Sequence, residues 1–223
     1  MAVNRAPLRA ASARVRAVQR RIAASARRAA PLRLARARCA GALAALAVLA
    51  TQGAHAEPQA FDPAHTRIGF ELRTRWGQRL DGRFPSYEGQ VRRHADGLQQ
   101  VTVRLSTADV EIVGYPRYTA FSRGPSFFDA QRYPTASFTS EPYPESLLVA
   151  GGRLGGTLRL HGVSQRESFT VEPSTCARPA IDCDLVARGS VRREDYGMDD
   201  WAMAVQGRVQ FALRLRLKAA PTP

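Results

Sequence analysis

The chain has 223 residues and a formal net charge of +14, but the charge is unevenly spread. Residues 1–56 carry eleven arginines and no acidic side chain, and removing those eleven leaves a formal +3 on residues 57–223. That remainder has no dense Lys/Arg patch interleaved with aromatics, which argues against nucleic acid as a partner. No apolar run approaches the roughly 20 residues that a membrane-spanning helix needs.

In chain order, the first segment reads as an export signal. An arginine-rich region is followed by the apolar run Cys39 to Leu49 and then by Ala54-His55-Ala56, the order of n-region, h-region and small-x-small cleavage site. The sequence therefore predicts a signal peptide over 1–56, cleavage after Ala56, and a periplasmic domain over 57–223. That length suits one domain with a substantial core. The basic region is long for an n-region, which points to a start downstream of Met1 at a non-standard codon, such as that of Leu32. The competing reading of the region is a basic arm for nucleic acid; it leaves the apolar run and cleavage site unexplained.

From Arg67 to Arg73 the chain alternates, with Ile68, Phe70 and Leu72 on one side and charged residues on the other. Alternation with period two marks a strand with one buried and one wet face. It recurs at Val101, Val103, Leu105, at Leu154, Leu158, Leu160, at Phe169, Val171, at Leu185, Ala187, Val191, and from Val209 to Leu217. Less regular strands are expected at Pro85 to Arg93, Thr135 to Glu141 and Leu147 to Ala150, giving roughly eight or nine in all. Residues 114–134 lack the alternation and read as loop with one or two short helices capping one end. Such a pattern predicts an all-β antiparallel fold, a sandwich or a closed barrel. Gly156, Ala187 and Gly189 fall on inward positions, where small residues either leave room for a cavity or relieve crowding at a bend.

With Cys39 in the signal segment, Cys176 and Cys183 remain as a pair, and in an oxidising compartment they are expected to form a disulfide around a loop between two strands. Their spacing, with no histidine near, is not that of a usual metal site, and no metal is expected. His65, His94 and His161 stand apart in the sequence, and Asp62 beside His65 reads as a turn residue bonding backbone. No nucleophile elbow, zincin or phosphate-loop motif occurs, so neither catalysis nor a cofactor is expected. The cluster Arg193-Glu194-Asp195 reads as a solvated turn with a local ion pair, the alternative being contact with a polar headgroup.

Several blocks stand in the order found in one known family. Phe61-Asp62-Pro63-Ala64-His65-Thr66 opens the domain, followed by Leu80-Asp81-Gly82-Arg83-Phe84 with Tyr87-Glu88-Gly89. Phe127-Phe128-Asp129 leads through Tyr133-Pro134 to Phe138-Thr139-Ser140, and Gly156 to Val163 and Arg193 to Met198 complete the set. Over nearly all of 60–218 the chain resembles the YceI-like family. Two features depart from its pattern: the short stretch Ser122 to Ser126 before Phe127, and the Cys176/Cys183 loop.

The resemblance implies a lipocalin-like closed β-barrel of about eight antiparallel strands, with one or two short helices between mid-chain strands. It implies a periplasmic protein whose cavity binds a polyisoprenoid lipid such as a quinone tail or prenyl phosphate, which reads as a carrier; the alternatives are an envelope stress-related structural protein with incidental lipid and a periplasmic hydrolase. Phe70, Leu72, Phe138, Leu158, Phe169 and Phe211 have the inward parity of lining residues, and Phe127 and Phe128 are candidates for a lid. Each also reads as plain core packing. The partners implied are the isoprenoid lipid or quinone, transient contact with a membrane, and a second copy of the chain in a homodimer.

Overall fold

The computed structural model describes residues 57–219. The expected signal peptide, its cleavage position after Ala56 and Cys39 lie outside the described residues.

The described residues form eleven strands, all in one antiparallel sheet. In chain order these are β1 (Gln59–Ala60), β2 (Arg67–Arg73), β3 (Arg79–Arg83), β4 (Tyr87–Arg93), β5 (Gln99–Ser106) and β6 (Glu111–Ile112), then β7 (Thr135–Ser140), β8 (Gly152–Leu160), β9 (Val163–Val171), β10 (Leu185–Arg192) and β11 (Arg208–Leu215). Two short helices interrupt them, α1 (Pro116–Ser122) between β6 and β7 and α2 (Ser146–Ala150) between β7 and β8, and a 3₁₀ turn, Arg193–Tyr196, follows β10.

The spatial order is β1-β4-β5-β7-β8-β9-β10-β11-β2-β3-β6. It is linear, with β1 and β6 at its ends and no ladder between them. One bridge, Phe61 to Leu217, ties the β1 end back to the end of β11. The Asp62 amide donates to the Arg216 carbonyl at 2.7 Å and the Lys218 amide to the Ala60 carbonyl at 2.9 Å beside it. The sheet is therefore a curled half-barrel of eleven strands, and the expected closed ring of about eight is corrected on this point. The additional strands are β1 and β6, too short to show alternation, and β3.

Register follows from alternation and turn chemistry. In β2, Ile68, Phe70 and Leu72 are buried, and in β5 so are Val101, Val103 and Leu105. The β8–β9 hairpin turns on His161 and Gly162, whose φ values of 50° and 78° are those of a two-residue primed turn and fix the pairing Leu160 with Val163. The expected strand at Leu147 to Ala150 is instead helix α2, closed by Gly151 at φ 73°. Its four apolar residues fit either period, and only Leu148 is buried.

Cys176 and Cys183 are joined in a disulfide within the β9–β10 connection. Ala180, inside the loop, accepts the Leu217 amide at 2.6 Å, so the loop braces the end of β11. Closing so small a loop stabilises the fold by about 2 to 3 kcal/mol in the chain-entropy model. Urea unfolding of the Cys176→Ser/Cys183→Ser variant is expected to show a loss of that size, with the slope little changed.

Candidate functional site

The interior face of the sheet is divided into a solid half and a hollow half. In the solid half, aromatic rings lie over glycines of the neighbouring strand. A Cβ at Gly156 would stand 2.5 Å from the Phe138 ring, and one at Gly189 would stand 2.6 Å from the Phe169 ring. Phe138 and Phe169 pack edge to face at 5.0 Å, and Phe169 meets Phe211 at 6.3 Å. Gly156 and Gly189 are thus small because rings occupy the space, not because a cavity does.

On the far side of Phe211 the packing opens into a cavity of about 440 Å³, within the range of small-molecule sites. One wall is the sheet: Phe70 and Leu72 of β2, Leu80 of β3, Ile112 of β6, Leu160 of β8, and Val209 and Phe211 of β11. The opposite wall is α1 with the loop after it, giving Tyr118, Phe121, Phe127 and Phe128, and the segment after the 3₁₀ turn, giving Met198, Trp201 and Val205. Phe128 packs on Phe70 at 6.1 Å and on Phe84 at 5.8 Å, which seats the lid loop on the sheet. That loop is tied down by the Phe128 amide to the Ser122 carbonyl at 3.0 Å and by Arg123 Nε to the Val110 carbonyl at 3.0 Å.

Of the eight lining candidates expected from sequence, five line this cavity: Phe70, Leu72, Phe127, Phe128 and Phe211. Phe138, Leu158 and Phe169 lie in the solid half. The rim was not foreseen. Trp76 and Trp201, 68% and 53% exposed, stand at the cavity with Tyr118 and Phe121, and the Phe121 and Trp201 rings meet at 5.1 Å. Trp201 has φ 62°, a conformation that a bulky residue adopts only under constraint. The Ala204 and Val205 amides, both donating to its carbonyl at 2.9 Å, supply that constraint.

Thr74, Ser122, Arg117 and Arg193 are the polar members of the lining. Arg193 is the largest departure from the sequence reading. Far from being a solvated turn residue, it is 2% exposed. Its Nη1 donates to the Met198 and Asp200 carbonyls at 2.5 and 2.7 Å, and the guanidinium stands 5.7 Å over the Phe127 ring. Its Nε and Nη2 are buried with no hydrogen-bond partner among the described residues. Burial lowers its pKa from the ordinary guanidinium value, but a guanidinium stays charged in proteins. Parity carried the signal: Leu185, Ala187 and Val191 face inward on β10, and Arg193 continues that series.

The histidines sit in separate turns. His65 bonds Asp62 at 2.5 Å, and this contact, followed by the Ala64 amide, holds the Asp62 carboxyl below its usual range. His161 Nδ1 lies 3.0 Å from the Tyr196 carbonyl, and His94 stands in the β4–β5 turn. Among the described residues no three His, Cys, Asp or Glu side chains gather as a metal site would require.

The fold and cavity define a curled antiparallel sheet that encloses an apolar pocket under a helical lid. Residues 60–217 match the model of the YceI-like domain, and the chain belongs to that family. Among solved structures it is similar to BcnA of Burkholderia cenocepacia, with 19% identity and a TM-score of 0.55 over 70% of this chain and 98% of that one. It is also similar to a polyisoprenoid binding domain from Saccharophagus degradans implicated in plant cell wall breakdown, with 16% identity and a TM-score of 0.54 over 72% and 98%. At these identities the likeness is one of fold. A sequence comparison with curated proteins finds no match.

Gly156 is the sharpest test of the solid half, because a Cβ there would also stand 2.5 Å from the Thr139 carbonyl oxygen. Gly156→Ala is expected to cost about 1 to 3 kcal/mol. Phe138→Ala in the same chain should recover part of that cost, read as a negative coupling energy in a double-mutant cycle.

Proposed function

We propose that this protein is an exported binding protein that holds the apolar chain of a polyisoprenoid-type lipid, such as a quinone tail or a prenyl phosphate, in the cavity between the sheet and the lid. The observation that carries this reading is a lining made almost wholly of carbon in a pocket of about 440 Å³. An apolar cavity that stays dry binds apolar guests. Membership of the YceI-like family, and the polyisoprenoid binding named for one protein of this fold, support the same reading.

Size sets how much chain is enclosed. At roughly 30 Å³ per small heavy-atom group, taken from the volume share of a water, about fifteen carbons fit, or three isoprene units. Each buried CH₂ is worth about 0.8 kcal/mol against water, so fifteen carbons would cost about 12 kcal/mol to leave exposed. Taken from a bilayer into an equally apolar pocket, the chain changes little in free energy. A carrier between membranes needs that balance.

Delivery then requires the mouth to meet a bilayer. Trp76, Tyr118, Phe121 and Trp201 surround the opening and are exposed. Trp and Tyr concentrate at the membrane interface, where one end of the ring is apolar and the other wet. The chain has two tryptophans, Trp76 and Trp201, both on this rim, so intrinsic fluorescence reports on the mouth alone.

Two measurements follow. Titration with prenyl alcohols of increasing length, read by tryptophan emission, is expected to show affinity rising to about fifteen carbons and levelling beyond. Leu72→Phe, which narrows the pocket without adding a tryptophan, is expected to weaken binding and to shorten the chain length at which affinity levels, while leaving the circular dichroism intact. No binding at any length, or binding indifferent to length, would contradict the reading. With phospholipid vesicles the emission is expected to shift to the blue, and Trp76→Ser/Trp201→Ser to lose co-sedimentation with them.

A further inference from the structure

Arg193 places a full positive charge in the wall of a cavity otherwise lined by carbon. One of its three nitrogens serves the fold, since Nη1 holds the Met198 and Asp200 carbonyls and so fixes the segment after the 3₁₀ turn. The other two, Nε and Nη2, are buried and unpartnered among the described residues. These two N–H groups point along the same edge of the planar guanidinium, the edge that takes two oxygens of one carboxylate or phosphate side-on.

The protein's own carboxylates do not fill this role. Among the described residues none lies within ion-pair distance of the Arg193 guanidinium. Glu194, the adjacent one, approaches Arg192 at 3.9 Å and lies over Gly207. Ser122, on the same cavity wall, donates its hydroxyl to the Thr119 carbonyl at 2.8 Å. A buried donor left unpaired is unfavourable, and a buried charge more so. A ligand that brings two oxygens to this edge removes both costs at once.

We propose that Arg193 receives the oxyanion head of the cavity's ligand, with Nε–H and Nη2–H each donating to one oxygen of a carboxylate or phosphate while the prenyl chain lies against Phe70, Phe128 and Phe211. This rests on the lipid-binding reading of the cavity and adds to it the head's chemical class and its receptor. The head is then held within the wall and out of solvent, and a neutral alcohol of the same tail offers only one oxygen to the same edge.

Binding of farnesoic acid, farnesyl phosphate and farnesol, matched in tail, separates the possibilities. The unaltered protein is expected to prefer at least one of the two anions over the alcohol by roughly ten- to hundred-fold, the range given by charge-assisted pairing. Which anion is preferred distinguishes a carboxylate head from a phosphate head. In Arg193→Gln the ratio of anion to alcohol affinity is expected to fall toward one, and in Arg193→Lys, which keeps the charge but not the fork, to fall part of the way.

Because Arg193 also holds its own loop, a measurement on the unaltered chain stands beside the variants. The Nε–H resonance of Arg193 is expected to move downfield with the preferred anion and to stay in place with farnesol. Binding of all three ligands with a ratio near one overturns the head receptor and leaves the lipid reading standing. A preference that survives Arg193→Gln and vanishes in Arg117→Gln overturns it equally, by assigning the head to the mouth. Binding of none of the three overturns the lipid reading itself.

Discussion

Where Phe138 lies across Gly156 and Phe169 across Gly189, a strand has given up its side chain so that a ring from the next strand can occupy the place. On this contact the rest of the interior depends. It fills one half of the curled sheet with side chains and leaves the second half, beyond Phe211, to be covered by α1, its following loop and the segment after the 3₁₀ turn. These covering pieces are short and meet the sheet through a few aromatic contacts, such as Phe128 on Phe70 and Phe84. A close-packed interior tolerates few voids larger than a water. A carbon-lined void of this size under a lid tied by its own backbone hydrogen bonds is thus a built feature of the fold.

The same division decides what can enter. The solid half sets a floor at Phe211, so under the proposed function a long prenyl chain would be enclosed only in part, with the remainder leaving through the aromatic rim. Within this apolar space Arg193 is the single buried cation among the described residues, and it is placed by the geometry of its own turn. An arginine held in this way gives the pocket a direction, because only one edge of the guanidinium is without a partner among the described residues.

Much of this was legible in the sequence, for reasons that can be named. The alternation at Ile68, Phe70 and Leu72 and at Val101, Val103 and Leu105 is strong because each strand has one buried face. β3 escaped notice because one of its two inward positions is Gly82, whose missing side chain is replaced by the ring of Phe70. Parity picked out Phe70, Phe138, Phe169 and Phe211 but not the buried Phe61 and Phe84, and it did not tell hollow from solid. Rings lie over glycines in both halves, Phe138 over Gly156 and Phe70 over Gly82, so hollow and solid differ in what covers the sheet, and parity within a strand does not report that. Leu147 to Ala150 misled because four apolar residues carry no period. Arg193 was hidden by its neighbours Glu194 and Asp195, since a run of charges reads as a wet turn; counting parity along β10 past Val191 places it inside.

The central claim is that the hollow half of this sheet is a seat for a prenyl chain. It is tested most directly by purifying the full chain from the envelope of a bacterial host without detergent and analysing its organic extract by mass spectrometry. A prenyl-chain lipid close to one per protein is the predicted result, its yield falling sharply when the pocket is filled by a larger side chain. Extracts with no lipid, or with only the phospholipid mixture of the host membrane, would contradict the account.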